Sequence, residues 1–221
     1  MDVIETIIGR RSTRAFLDRT VDRDVIRDIL QTARWAPSGV NSQPWQVAVV
    51  SRTIMKDIGD QITSALDSGQ KPDPDYQYYP STFPQPYQTR RVKCGQALYG
   101  TLNIQREDKE KRKEQWYKNY YGFGAPVVFF IFIETCMEKG SWVDTGMFIQ
   151  NVMLSARGYG LETCPQAALA EFPNIVRSIL KLPQSLQLVC GISVGYPDHS
   201  DPVNQYRTER EEVDDFTTWH E

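Results

Sequence analysis

The chain has 221 residues, a formal net charge of −3 and 40% hydrophobic content, enough apolar material for a packed core in one large or two small domains. That charge balance excludes the strongly basic footprint of a nucleic-acid-binding domain. No apolar run reaches the length of a membrane span, and MDVIETIIGRR carries acidic residues where a secretory leader has basic ones, so a cytoplasmic chain is expected.

Asp2 is positioned to cap a first helix whose Val3, Ile4, Ile7 and Ile8 share one face and which stops near Gly9. Next comes RRSTRAF, with three arginines and two hydroxyl side chains between Arg10 and Arg14. Guanidinium groups bind phosphate oxygens in bidentate fashion and a serine hydroxyl adds a further bond, so the pentapeptide reads as an anion clamp or as a solvated basic turn. Asp22 suits the cap of a second helix, with Val21 ready to staple onto Ile26. Val25, Ile26, Ile29, Leu30 and Ala33 form its apolar stripe, and Pro37 ends it. APSGVNSQPW, Ala36 to Trp45, is polar and kinked, a connector by composition. Trp45 to Val50 reads as a strand.

Composition changes between Asp67 and Phe123. KPDPDYQYYPSTFPQPYQ is crowded with Pro and Tyr and reads as irregular structure, a long ordered excursion or a lid. Arg106 to Lys118 is dense in both signs of charge, the pattern of a solvated helix. VVFFIFIE is a buried strand. Trp142 to Arg157 is a helix whose only charges are Asp144 and Arg157; apolar on nearly every side, it needs cover on every side, which a second subunit would supply. Phe172 to Leu182 reads as a short helix with Pro173 in its first turn and Pro183 at its end. Leu188 to Tyr196 is the last clear strand. The tail ends in Phe216 and Trp219, aromatics that need a surface such as a partner chain.

These elements sum to an α+β fold without internal repeats, GxGxxG or a phosphate-loop glycine string. Cys94, Cys136, Cys164 and Cys190 share no CxxC spacing, and the histidines are His199 and His220 alone, so neither a metal site nor a disulfide framework is expected. The cysteines read as small buried hydrophobes.

RRSTRAF, APSGVNSQPW, GAPVVFFIF, the helix ending in GYGLETCPQ and the closing PVNQYRTER together resemble the FMN-dependent nitroreductase family over almost the whole chain. The Tyr-rich insert and the CPQ sequence look most like its bacterial nitrobenzoate-reductase-like branch. The resemblance implies a three-layer α+β fold, a central, mostly antiparallel sheet flanked by helices, in one domain spanning 1–221. It also implies an intertwined homodimer with FMN at the interface, an insert or lid over 67–123, and a tail, 197–221, packing on the partner subunit.

By similarity, Arg10 and Ser12 hold the phosphate and ribityl end, Arg210 closes that clamp from the tail with Arg207 as a second candidate, and Arg11 contributes through its backbone. Arg14 lies toward the pyrimidine side of the isoalloxazine, where a cation stabilises the negative charge left by two-electron reduction. Pro37, Ser38, Gly39, Asn41 and Gln43 wall a flavin held mainly by the other subunit, with Gly39 allowing close approach and Asn41 offering donor and acceptor. Pro165, Gln166, Ala167 and Ala168 lie beside the ring, and the amide of Ala167 or Ala168 faces N5. The implied activity is ping-pong: NADH or NADPH reduces FMN and leaves, and a small flat acceptor, a nitroaromatic or a quinone, takes a hydride in the same pocket. No side chain is expected to act as a catalytic acid, base or nucleophile. Tyr76, Tyr78, Tyr79, Phe83 and Tyr87 form the acceptor's apolar wall or pack at the surface, and Arg90, Arg91 or Lys93 could supply a second cation near N1. Two alternatives stay open: a specialised flavin enzyme of the same fold, such as a reductive dehalogenase or an ene-type reductase or dehydrogenase, and a flavin-binding module without turnover.

Overall fold

A computed structural model describes residues 2–220. Its centre is a four-stranded, wholly antiparallel sheet in the order β1-β2-β4-β3, where β1 is Gln46–Ser51, β2 Val127–Glu134, β3 Glu162–Gln166 and β4 Leu186–Gly195. The continuous apolar run of β2 follows from cover on both faces. Phe129, Ile131 and Ile133 enter one core with Ile29 and Ala33 of α2 (Arg23–Ala33) and Phe148, Val152 and Ala156 of α6 (Lys139–Gly158). Val128, Phe130 and Phe132 enter a second core with Met55, Ile58 and Ile62 of α3 (Arg52–Asp67) and Val176 of α7 (Pro173–Leu180). Alternate residues of a strand point to opposite faces, so one sheet serves two helical layers.

Helix α1 (Val3–Gly9) carries a full capping box between Asp2 and Glu5. It buries nothing within the chain: Val3, Ile4, Ile7 and Ile8 are 46% to 65% exposed. Asp22 occupies the cap position of α2 with extended backbone, but its side chain makes no capping bond, and the helix ends at Ala33, ahead of Pro37. Residues 52–67, which offer no clear pattern in the sequence, form α3 behind a Ser51 cap. Helix α6 buries Thr145, Phe148, Val152, Met153 and Ala156, so a single chain covers one side of it.

The insert is less irregular than its composition suggests. Tyr87–Thr101 forms α4, which takes in the last residues of the Tyr/Pro-rich segment, and Lys109–Tyr117 forms α5. The insert is pinned to the sheet near its start. The Asp75 carboxylate accepts two bonds from Arg177 of α7, at 2.6 and 2.9 Å, and one from the Leu188 N–H of β4 at 2.9 Å. The tail ends in a short helix, α8 (Val213–Phe216), beyond which Trp219 is exposed, as is Phe216. Among the described residues no helix is long and apolar enough to cross a membrane.

Candidate functional site

The RRSTR segment lies along the outer edge of β3. Ser12 bridges Thr163 in parallel, and the Thr13 N–H donates to the Thr163 carbonyl at 3.0 Å. The tail closes over the segment from the other side. The buried Asn204 amide donates to the carbonyls of Ala15 at 2.9 Å and Asp198 at 2.7 Å, and its Oδ1 accepts the Arg14 N–H at 2.8 Å. The Asn204 carbonyl takes Arg11 Nη1 at 2.9 Å, and Arg207 donates to the Ile8 carbonyl. Residues 8–15 and 198–207, far apart in sequence, thus meet at one sheet edge.

Three of the five residues converge on one spot. Arg10, Ser12 and Arg14 all act on the Cys164 thiol, yet burial outweighs them and pushes the thiol up to about 11, so it stays protonated and is no nucleophile. Arg10 itself is half-buried and its proton affinity is lowered, first by burial and next by the positive charge of Arg210, with Glu162 opposing. Arg210 bonds only Thr208 and the Glu209 carbonyl, and among the described residues neither it nor Arg10 makes an ion pair. Arg10 thus feels a positive charge brought from the other end of the chain, and neither guanidinium is neutralised by a salt bridge among the described residues. A phosphate dianion fits such a pair. Arg11 belongs elsewhere: with Thr13, Glu162 and His199 it lines a separate cavity of about 350 Å³.

The loop after α2 is a strained knuckle. Val40, Asn41 and Gln43 adopt positive φ of 48°, 57° and 47°. Such backbone costs on the order of 1 to 3 kcal/mol per residue, most plainly for the β-branched Val40. Internal bonds hold it: Asn41 N–H to the Ser38 carbonyl at 3.0 Å, and Gln43 N–H to Ser38 Oγ at 3.0 Å. Gly39 N–H ties it to α6 through Asp144 Oδ2 at 3.1 Å. A Cβ on Gly39 would meet only Asp144, at 3.8 Å, so that side of the glycine is open. Pro37, Gly39, Asn41 and Gln43 are exposed, and Ser38 is half-buried beneath them.

In the CPQAA segment, Pro165 and Ala167 are half-buried and Ala168 is buried. The Gln166 side chain faces inward: Nε2 donates to the Asn119 carbonyl at 2.9 Å, and Oε1 accepts from Ser193 Oγ at 2.6 Å. Any contact Gln166 makes with a ligand at this edge therefore comes from its backbone. Tyr76 is also committed, its hydroxyl donating to the Val189 carbonyl at 2.6 Å and its ring lying against Trp142. Burial raises that hydroxyl well above the usual tyrosine range. Tyr78, Tyr79 and Phe83 follow as a chain of touching rings, and Tyr79 and Tyr87 are more than half exposed.

A groove of about 560 Å³ runs between α4 and residues 207–211, with Arg90, Lys93, Cys94, Arg207 and Arg210 along it. The structure thus brings two of the insert's cations beside the tail's, with Arg90 Nε 2.7 Å from Glu211. Arg91 does not line the groove; its guanidinium lies over Phe83. Sequence reasoning missed Asn204, Tyr206 and Asp144. The first two stand inside PVNQYRTER, where the arginines are the conspicuous residues, and Asp144 is one of only two charges between Trp142 and Arg157.

The nitroreductase family profile matches residues 7–196. The 4-nitrobenzoate reductase of Pseudomonas putida is 36% identical over 219 residues, covering 98% of this chain and 94% of its own. The nitrobenzene nitroreductase of Ectopseudomonas oleovorans is 33% identical, covering 97% and 95%. Among solved structures, the FMN and NADPH-dependent nitroreductase NfnB of Sphigopyxis sp. strain HMH superposes with a TM-score of 0.97 at 37% identity over 100% of both chains. The FMN-dependent NfnB of Mycobacterium smegmatis, in complex with NADPH, does so with 0.94 at 30% identity, over 99% of this chain and 97% of that one.

Proposed function

The chain belongs to the nitroreductase family, and from that premise we propose that it is an FMN-dependent oxidoreductase. It takes reducing equivalents from NADPH or NADH and delivers them, in ping-pong order, to a nitroaromatic or quinone acceptor. The observation that carries this reading is a half-buried Arg10 that makes no salt bridge among the described residues and feels the positive charge of Arg210. A half-buried guanidinium without a salt bridge, with a second positive charge acting on it, is a cost to the protein alone and an asset once a phosphate binds there.

FMN, when bound, supplies the hydride chemistry. The residues of this chain hold and tune it. Arg10, Ser12 and Arg210 grip the phosphate, and Arg207, tied back to Ile8, steadies the irregular tail segment that carries Arg210. Arg14 offers positive charge toward the pyrimidine end, and a backbone amide at Ala167 or Ala168 donates toward N5. The 37–43 loop excludes water from a cofactor bound by a second copy of the chain. Exposed apolar groups on α1, at Val40, and at Phe216 and Trp219 favour a homodimer, in which they would find cover. The molecule works as one domain in the cytoplasm, with 67–123 bordering the acceptor and the exposed rings of Tyr79 and Tyr87, with the half-buried Phe83, offering it an apolar wall. Relatives named for 4-nitrobenzoate and nitrobenzene point to a small nitroaromatic.

Anaerobic mixing tests the reading. NADPH should bleach the yellow of the purified protein, and 4-nitrobenzoate should restore it while the nitro compound is consumed. Bleaching without reoxidation by any nitroaromatic or quinone would leave a specialised flavin enzyme instead. No bleaching at all would leave a flavin-binding module.

A further inference from the structure

Arg14 is fixed at both its ends by uncharged groups. Its main-chain N–H donates to Asn204 Oδ1 at 2.8 Å, and its Nη1 donates to Tyr206 Oη at 2.8 Å and to the Ser12 carbonyl at 3.2 Å. Among the described residues it makes no ion pair. A free arginine side chain samples many rotamers, and a carboxylate partner would fix it only by cancelling much of its field. A neutral phenol fixes it and leaves the charge intact. Tyr206 is half-buried, and burial makes its hydroxyl a weaker acid than usual despite the opposing pull of Arg14, so it stays neutral through the working pH range. The stretch of backbone that carries Tyr206 is itself held on both sides. Asn204, two residues earlier, is buried in bonds to Ala15 and Asp198, and Arg207, the next residue, is tied to the Ile8 carbonyl.

We propose that Tyr206 is a positioning residue for Arg14, holding the guanidinium in one place with its full charge and so favouring reduced over oxidised FMN. The proposal rests on the FMN reading above and on the role of Arg14 in it. Among the described residues of the tail, no other group combines a hydrogen bond to the Arg14 guanidinium with a neutral side chain.

The test is the two-electron midpoint potential of the FMN-loaded protein, measured anaerobically against a reference dye, for the wild type, Tyr206→Phe, Arg14→Gln and the double variant. Tyr206→Phe should weaken the preference for the reduced cofactor about tenfold, a drop of about 30 mV for two electrons. Arg14→Gln should lower the potential at least as far, and the double variant should fall no further than Arg14→Gln alone, because Tyr206 acts through Arg14. An unchanged potential in Tyr206→Phe beside a lowered one in Arg14→Gln would overturn the proposal and leave the FMN reading standing. Additive shifts in the double variant would overturn it as well, since Tyr206 would then act on the cofactor by a separate path. A wild-type protein that takes up no FMN would remove the reading and the proposal together.

Discussion

Replacing Arg10 and Arg210 by alanine separates a cofactor clamp from a structural charge cluster. Each guanidinium contributes charge-assisted bonds worth about 1.5 to 3 kcal/mol to a bound phosphate, so losing both costs roughly 3 to 6 kcal/mol. At 1.4 kcal/mol per tenfold, the FMN dissociation constant rises roughly a hundredfold to ten-thousandfold. Arg210 is exposed and screened by solvent and salt, whereas Arg10 is half-buried, so the lower part of that range is expected and the Arg10 share should be the larger. The apoprotein should respond in the opposite direction. Arg210 lowers the proton affinity of Arg10, so Arg210→Ala relieves a repulsion and leaves apoprotein stability unchanged or raised. Fluorescence titration of FMN into each variant and urea denaturation of each apoprotein read the two quantities. Unchanged FMN affinity in the double variant, or a loss of apoprotein stability that parallels the loss of affinity, would refute the clamp.

Arg177→Ala should destabilise the protein by about 3 to 5 kcal/mol in denaturant unfolding, because it strips a buried guanidinium from Asp75 and from the Leu186 carbonyl; a loss under 1 kcal/mol, on the order of a surface pair, would contradict the anchoring of the insert. Burial holds the Glu171 carboxyl above its ordinary value, with the Tyr120 hydroxyl opposing. The folded state therefore binds this proton more tightly than the unfolded state, and stability declines as pH rises through the folded value. Glu171→Gln should gain on the wild type at neutral pH, and the difference should vanish in acid below the unfolded carboxyl range, as thermal melts across pH would record. Cys164→Ala should keep turnover and its pH profile, since the buried thiol stays protonated; loss of turnover at full FMN occupancy would assign the thiol a chemical role.

What could be read from the sequence follows from how strongly each element depends on its own residues. VVFFIFIE declares a strand because eight consecutive positions suit burial on both faces, and the bounds of β2 coincide with that run. The α2 stripe is equally legible, and so is the position of its cap: Asp22 has the cap backbone, although its carboxylate makes no capping bond. Helix α4 hides itself because it buries no residue and so has no apolar stripe to display. In α3, Gly59 and Thr63 sit among the buried positions and blur the stripe of Met55, Ile58 and Ile62. Strand β3 contains Pro165 and is extended because β4 pairs with it, not because ETCPQ prefers that state.

The arginines of the site stand out by type. Their supports do not, because Asn204 and Tyr206 meet Arg14 across some 190 positions of chain, and no local spacing announces such a contact. Asp144 reaches Gly39 from the second turn of α6, 105 positions further along the chain, in the same way. The inward turn of Gln166 is set by Asn119 and Ser193, residues that only the folded sheet brings near.

The central claim is that the two ends of one chain and the flank of a second copy enclose FMN. Size-exclusion chromatography with light scattering and a flavin absorbance trace measures mass and cofactor together. The account predicts a dimer carrying one FMN per chain, with Arg10→Ala/Arg210→Ala eluting as a colourless dimer. A monomer that stays colourless after incubation with excess FMN would contradict it.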